Sequence, residues 1–326
     1  MGESDLVIGA GVIGDRVARL LAERGDRVTV VSRRGAAPEG PGAPGGVPGI
    51  THVAANAADA AAMARLAEGA SVIYNCVNPP YHRWPIDWPP IAASVLTAAE
   101  RSGAVLVTLS NLYGYGPAAG SLGAGAYDEA HPMTEATPLT ATGPKGRIRA
   151  RVWQDALAAH QAGRVRATEV RPSDFVGPGA QSALGERVLG RIRQGRGVSV
   201  LGRADQPHTW SFTGDAARML VVAGTDARAW GRAWHAPSNE PRSQREAVND
   251  LALAAGASRS GRVRVGTIPS VVLRGIGLAS PLMRELRETE YQFRDPFVMD
   301  SSAAQVTFGL EPTPWDEVVS MTVKAR

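Results

Sequence analysis

The stretch Asp5-Leu6-Val7-Ile8-Gly9-Ala10-Gly11-Val12-Ile13-Gly14 decides how this chain is read. A short β-branched run breaks into three glycines spaced Gly-x-Gly-x-x-Gly. It then passes directly into Val12–Arg24, where apolar residues recur every three or four positions. A strand, a tight turn and a helix are expected in that order. Gly9 permits the turn, Gly11 lets backbone approach a pyrophosphate, and Gly14 lets helix and strand pack closely. The amides of Val12 and Ile13, at the helix N-terminus, would complement the phosphate charge. The motif predicts a dinucleotide site.

Working outward, the same alternation continues. Strands are expected at Asp5–Ile8, Arg27–Val31, Ile50–Val53, Ser71–Asn75, Ala104–Thr108 and Val165–Val170. Helices are expected at Val12–Arg24, Asp59–Ala67, Ile91–Arg101 and Lys145–His160. Strand–helix alternation of this length predicts an α/β fold, a doubly wound parallel sheet with helices on both faces. Beyond residue 176 the alternation weakens into helices with isolated strands at Val198–Leu201, Ala233–Ala236 and Val263–Gly266. The dinucleotide-binding domain is therefore expected over 1–176, with a later contribution from about 209–236. Most of 177–326 is expected to form a smaller, discontinuous substrate-binding part. Ala36–Gly49, rich in proline and glycine, reads as a surface excursion. Gly114–Leu139 and Gly177–Gln181 follow strand ends, where ligands bind in such sheets.

Composition narrows the function. The 326 residues carry 35 basic and 31 acidic groups, a net charge of +4. Only Lys145 and Lys324 among the basic residues are lysines, so the arginine excess reads as coding bias. No basic cluster interleaved with aromatics suggests a nucleic-acid partner. Cys76 alone can build neither a disulfide framework nor a multi-cysteine metal site. The histidines lack ligand spacing, so no metal is expected. No apolar run is long enough to span a membrane, and a cytoplasmic protein is expected. Gly-x-Ser-x-Gly is absent, which removes the simplest hydrolase reading.

The second strand should end at the residue that reads the adenosine ribose. It ends in Ser32-Arg33-Arg34, with no carboxylate. Arginine pairs with a 2′-phosphate, so NADP(H) is expected in preference to NAD(H).

Taken in order, further motifs resemble the extended or atypical short-chain dehydrogenase/reductases of the NAD-dependent epimerase/dehydratase superfamily, and they span nearly the whole chain. Asn75-Cys76-Val77-Asn78 resembles the end of that family's fourth strand, and Ser110-Asn111-Leu112-Tyr113-Gly114 its serine-bearing fifth strand and following tyrosine–glycine. Glu129 to Pro138 resembles its acidic loop, and Arg171-Pro172-Ser173-Asp174-Phe175-Val176-Gly177-Pro178-Gly179 its Arg-Pro…Gly-Pro segment. Phe212 to Ala217 and Phe308-Gly309-Leu310-Glu311-Pro312 resemble later elements. The resemblance implies a Rossmann domain with cofactor contacts from Asn56, Cys76, Val77, Asn78, Lys145, Arg171 and Pro172. It also implies pairing through Ile91–Arg101 and Ile148–His160 in a homodimer.

The family's catalytic pair is Tyr-x-x-x-Lys, one helical turn apart. Lys145 holds the lysine place, but four residues earlier stands Ala141. The resemblance implies that Lys145 holds the nicotinamide ribose, and that a proton donor must come from elsewhere. Ser110, Tyr113 and Tyr81 are the candidates for polarising a carbonyl. His82, Trp84, Asn111, Asp174 and Trp210 are candidate substrate contacts. Where nucleotide-sugar epimerases place an arginine for the pyrophosphate, this chain has His208, which favours a less charged, more apolar substrate. The leading expectation is an NADP(H)-dependent oxidoreductase acting on a small carbonyl or alcohol. An epimerase or dehydratase using the cofactor transiently is a second reading, and a non-redox cofactor-binding protein a third.

Overall fold

The computed structural model describes residues 3–36, 47–118, 127–257, 263–268 and 287–324. Of the expected loops, 37–46 and 119–126 lie outside the described residues.

The opening motif folds as its residues dictate. Strand β1 (Ser4–Ile8) is buried along Asp5–Ile8, as a central parallel strand covered on both faces must be. Helix α1 (Val12–Glu23) buries Ile13, Val17, Ala18 and Leu21, one stripe at helical spacing. The chain continues through β2 (Arg27–Ser32), β3 (Ile50–Ala54), α2 (Ala60–Leu66) and β4 (Val72–Asn75). Next come α3 (Trp84–Ser102), β5 (Val105–Leu109), α4 (Pro144–Gln161) and β6 (Arg166–Arg171). Asp59 caps α2 by accepting from the amides of Ala61 and Ala62.

The six strands assemble in the order β6-β5-β4-β1-β2-β3, paired in parallel. The order reverses beside β1, the switch point where doubly wound sheets bind ligands. A seventh strand joins the β6 edge. It is β10 (Ala233–His235), expected from the sequence as an isolated strand. The amide of Glu169 donates to Arg232 and that of Gly231 to Ala167, which ties this distant segment to β6. Nothing local to Ala233–His235 announces that pairing, because its partner lies some sixty residues upstream.

Helix α3 begins seven residues before the expected Ile91. Pro85 occupies the first turn, where a missing amide costs nothing. The buried stripe Trp84, Trp88, Ile91, Val95 and Ala98 carries the helix through Pro89 and Pro90. Gly103, at φ 73°, ends it in the left-handed region.

The chain forms two compact units, one from within 1–111, 147–171 and 216–234, the other from within 112–146, 172–215 and 235–326. The second unit contains β7 (Asp174–Val176) paired with β9 (Trp210–Phe212), and β8 (Val198–Leu201) paired with β11 (Val265–Ile268). Its core packs α5 (Glu186–Arg193) and α7 (Gln244–Ala254) around Val188, Ile192, Val200, Phe212, Val248 and Leu251. Helix α6 (Thr213–Thr225) follows β9 directly. Asp215, at its start, accepts the amide and hydroxyl of Thr313, just past the Gly309–Pro312 turn. No described helix is long and apolar enough to cross a membrane.

Candidate functional site

In the first unit the glycine motif builds a cradle. Gly9 sits at φ 110°, and a Cβ there would lie 2.7 Å from the Cys76 carbonyl oxygen. A Cβ on Gly14 would collide with the Gly9 carbonyl, so α1 packs against the turn at a distance only glycine allows. Gly11 differs: a Cβ there would meet no atom within 4 Å. It is the N-cap of α1 and makes no side-chain cap, so the first-turn amides face that open space. An open cradle beneath free helix amides fits a phosphate group.

Strand β4 closes the other side. Cys76 is buried, which pushes its thiol up to about 12 and leaves it inert. Asn75 is buried in β4 and its Oδ1 accepts the Val77 amide, while Asn78 is exposed. Asn56 is exposed beyond β3 and turns the chain by accepting from the amide of Ala58.

At the end of β2, the Ser32 hydroxyl accepts the Gly35 amide and shapes the turn, leaving Arg33 and Arg34 exposed. The short 3-10 turn Tyr81–Arg83 lies near this edge. Asp87 is held below the usual carboxylate range by its hydrogen bond to Arg83, and the charges of Arg33 and His82 add to the effect. Arg33 and His82 thus both act on Asp87, a convergence the sequence did not suggest. Tyr81 is half-buried, edge-on to Trp84 at 5.2 Å. Trp84, expected among the substrate contacts, is fully buried, and its indole donates to the Pro79 carbonyl. It supports the loop from below and offers a substrate no surface.

A buried ion cluster lies at the ends of β5 and β6. Glu169 accepts from Arg171 at 2.7 Å, and both are almost wholly buried. Burial raises the Glu169 carboxyl, against the opposing pull of Arg171, Arg149 and the Ser110 hydroxyl bond. The Arg149 guanidinium lies over Trp84 at 4.7 Å and Trp88 at 4.4 Å. Ser110, expected to polarise a carbonyl, is therefore buried and donates to Glu169. Arg171 likewise spends its charge on the strand interior, and Pro172 beside it is buried. Asn111 and Tyr113 are half-buried.

In the second unit, the pattern Tyr-x-x-x-Lys predicts that positions 141 and 145 share a helix. The structure differs: α4 starts at Pro144, and Ala141 precedes it. Gly116 and Gly146 pack so closely on Ala141 that a Cβ on either would strike it. Lys145 is buried. Its Nζ pairs with the Glu288 carboxylate at 2.8 Å, and its backbone amide donates to the other carboxylate oxygen at 2.7 Å. Nothing in the sequence singled out Glu288, one acid in an ordinary charged run.

The pair Asp174 and Trp210 lies elsewhere in this unit. His208 Nε2 is 3.1 Å from Asp174, and its Nδ1 meets the Gln292 carbonyl. Its ring stacks on Phe293 and Phe297 and tilts against Trp210 at 4.4 Å. Both His208 and Trp210 are buried, so they form an aromatic support, while Asp174 stays partly exposed.

A doubly wound sheet carrying an open glycine cradle at its switch point defines a dinucleotide-binding class of α/β protein. Within that class, the family model described as NAD dependent epimerase/dehydratase matches residues 6–234. The chain belongs to that family and is an enzyme of the oxidoreductase or epimerase/dehydratase type. No curated protein matches the sequence significantly. Among solved structures, it is similar to the Bordetella bronchiseptica enzyme WbmH in complex with NAD+, at 18% identity and TM-score 0.73, covering 99% of this chain and 98% of that one. A dTDP-glucose 4,6-dehydratase from Bacillus anthracis in complex with NAD aligns at 15% identity and TM-score 0.77, covering 99% and 96%. A UDP-glucose 4-epimerase from Thermotoga maritima with UDP-glucose aligns at 16% identity and TM-score 0.75, covering 98% and 97%.

Proposed function

We propose that the chain is an NADP(H)-dependent oxidoreductase acting on a small carbonyl or alcohol. The observation that carries the cofactor choice is the end of β2, where exposed Arg33 and Arg34 stand in place of a carboxylate. Gly9, Gly11, Gly14 and the amides of Val12 and Ile13 would hold the pyrophosphate, and Ser32, Arg33 and Arg34 the 2′-phosphate. Asn56, Cys76, Val77 and Asn78 would border the adenosine and the ribose. Lys145 would serve the nicotinamide ribose, with the catalytic phenol of the family absent at Ala141. When bound, the dinucleotide supplies the hydride acceptor or donor. The residues of the chain then have to bind it, exclude water and manage one proton at the substrate oxygen.

Fluorescence titration tests the reading. NADPH is expected to bind at least about tenfold more tightly than NADH, one good charge-assisted contact. Arg33→Ala is expected to remove most of that difference. NADH binding as tightly as NADPH would sink the assignment.

An epimerase or dehydratase cycle is the second reading, favoured by the sugar-nucleotide enzymes among the similar structures. His208 speaks against a nucleotide-sugar substrate, because it is buried in an aromatic stack and bound to Asp174. A small, less charged substrate remains the better fit. Cofactor retained through purification without net consumption would favour the second reading.

The proposed assembly is a homodimer. Helices α3 and α4 frame an apolar groove of about 580 Å³, lined by Leu96, Ile148 and Val152 among others.

A further inference from the structure

Ile8, the last residue of β1, is in register with Val31 of β2 on one side and Asn75 of β4 on the other. The three strands run parallel, so the turn after β2 and the loop after β4 leave the same edge of the sheet. They flank the glycine cradle two strand spacings, or about 10 Å, apart. The loop is fixed as it leaves. The Trp84 indole donates to the Pro79 carbonyl at 2.9 Å, and the Arg83 amide donates to the Pro80 carbonyl at 2.8 Å. The short turn Tyr81–Arg83 therefore presents His82 and Arg83, both exposed. Arg83 is also held in plane. Its Nε donates to one oxygen of Asp87 at 2.8 Å and its Nη2 to the other at 2.6 Å. Asp87 thus takes the side of the guanidinium. The end, where Nη1 and Nη2 each present an N–H, keeps the paired geometry that reads a phosphate bidentately. Asp87 also answers to the other flank, because Arg33 and His82 add to the effect of the Arg83 hydrogen bond on its carboxyl. Arg33 and Arg83 outweigh the single charge of Asp87, and exposed Arg34 adds to the surplus. Every residue of this cluster belongs to the first unit.

Resting on the NADP(H) reading above, we propose that His82 and Arg83 are further ligands of the adenosine 2′-phosphate, meeting it from the loop after β4. His82, expected from the sequence as a substrate contact, is thereby reassigned to the cofactor. A phosphate monoester carries about 1.5 to 2 negative charges at neutral pH and three acceptor oxygens. Arg33 and Arg34 supply charge from the turn after β2. Arg83 supplies a fork whose plane is already set, so little side-chain freedom is lost when a phosphate arrives. The His82 imidazole adds an N–H donor. All four side chains are exposed, which suits a phosphate at one end of a dinucleotide. The neutral 2′-hydroxyl of NADH gains little from these cations. His82 and Arg83 therefore discriminate between the two cofactors and leave the binding common to both unchanged.

The test is calorimetric titration of the full-length chain with ligand pairs that differ only at the ribose 2′ position. They are NADPH against NADH, and adenosine 2′,5′-bisphosphate against 5′-AMP. The second pair lacks nicotinamide, so it reads the adenosine end alone. Wild type is compared with His82→Gln, Arg83→Gln and the control Arg27→Gln. Arg27 is exposed at the opposite end of β2, about 20 Å from the turn, so its loss removes the same charge far from the cluster. Arg83→Gln is expected to weaken NADPH and the bisphosphate about fivefold, and His82→Gln about threefold. NADH and 5′-AMP are expected to stay within about twofold in both, as are all four ligands in Arg27→Gln. If Arg83→Gln melts early, Arg83→Lys decides. It keeps the charge, loses the fork, and is expected to forfeit about threefold on the phosphorylated ligands alone. A loss shared equally within a pair, a loss absent from either variant, or an equal loss in Arg27→Gln overturns the proposal. The NADP(H) reading survives each of those results if wild type prefers NADPH and Arg33→Ala removes the preference. A wild type that binds NADH as tightly as NADPH, or binds neither, removes both.

Discussion

Asp5 is the residue at which this fold carries a charge it would rather not hold. It is buried in β1, one carboxylate oxygen has no hydrogen-bond partner, and burial pushes its carboxyl up to about 7, aided by Asp26 and Glu3. Its reference value is 3.8. Between those values the unfolded chain gives up the proton first, so stability falls as pH rises through that window. Asp5→Asn is expected to stabilise the protein by about 1–2 kcal/mol at pH 8, discounted for partial solvent screening, and by almost nothing at pH 4. Urea denaturation at the two pH values checks it, and an equal effect at both would contradict the assignment. Gly9 and Gly14 of the glycine motif were legible because each has a mechanical duty that no other side chain fills. Glu288 was not, because its partner lies 143 residues away and a solvated acid has the same local sequence. Ser110 was legible as a polar residue at a strand end, but its engagement by Glu169 depends on tertiary packing.

At the scale of elements, periodicity placed the sheet well. Val198–Leu201 is strand β8 as read from its alternation, and the six parallel strands lie within a residue or so of their expected bounds. Proline was the weaker guide. Pro85, Pro89 and Pro90 discourage a helix before Ile91, yet the buried stripe from Trp84 outweighs the lost amide bonds. The start of α4 misled in the opposite direction, because a motif implying a helical turn between 141 and 145 meets a helix that starts at Pro144. The same two helices carry the proposed dimer. Ala93 is exposed on α3 at the groove, so Ala93→Arg would bring a charge into the paired surface. Analytical ultracentrifugation is expected to show a dimer for the wild type and a monomer for the variant. An unchanged sedimentation coefficient would place the contact elsewhere.

For the whole molecule, the chain passes repeatedly between two units, so sequence boundaries and structural ones cannot coincide. Residues 112–146 belong with the second unit although strands of the first lie on either side of them in the chain. No composition shift marks such returns. Each unit nonetheless holds its own aromatic centre, and that of the first has an optical consequence. Trp84 and Trp88 are wholly buried, with ring centroids 6.0 Å apart and planes at 81°. Two fixed indoles this close share their electronic excitation, so the native protein is expected to show a paired positive and negative band in far-ultraviolet circular dichroism. Trp88→Phe should abolish that couplet, and a couplet that survives must arise from other indoles. Because Arg149 stacks on both rings and answers to the Glu169 carboxylate, the band would read out the state of a charge network that no solvent probe can reach.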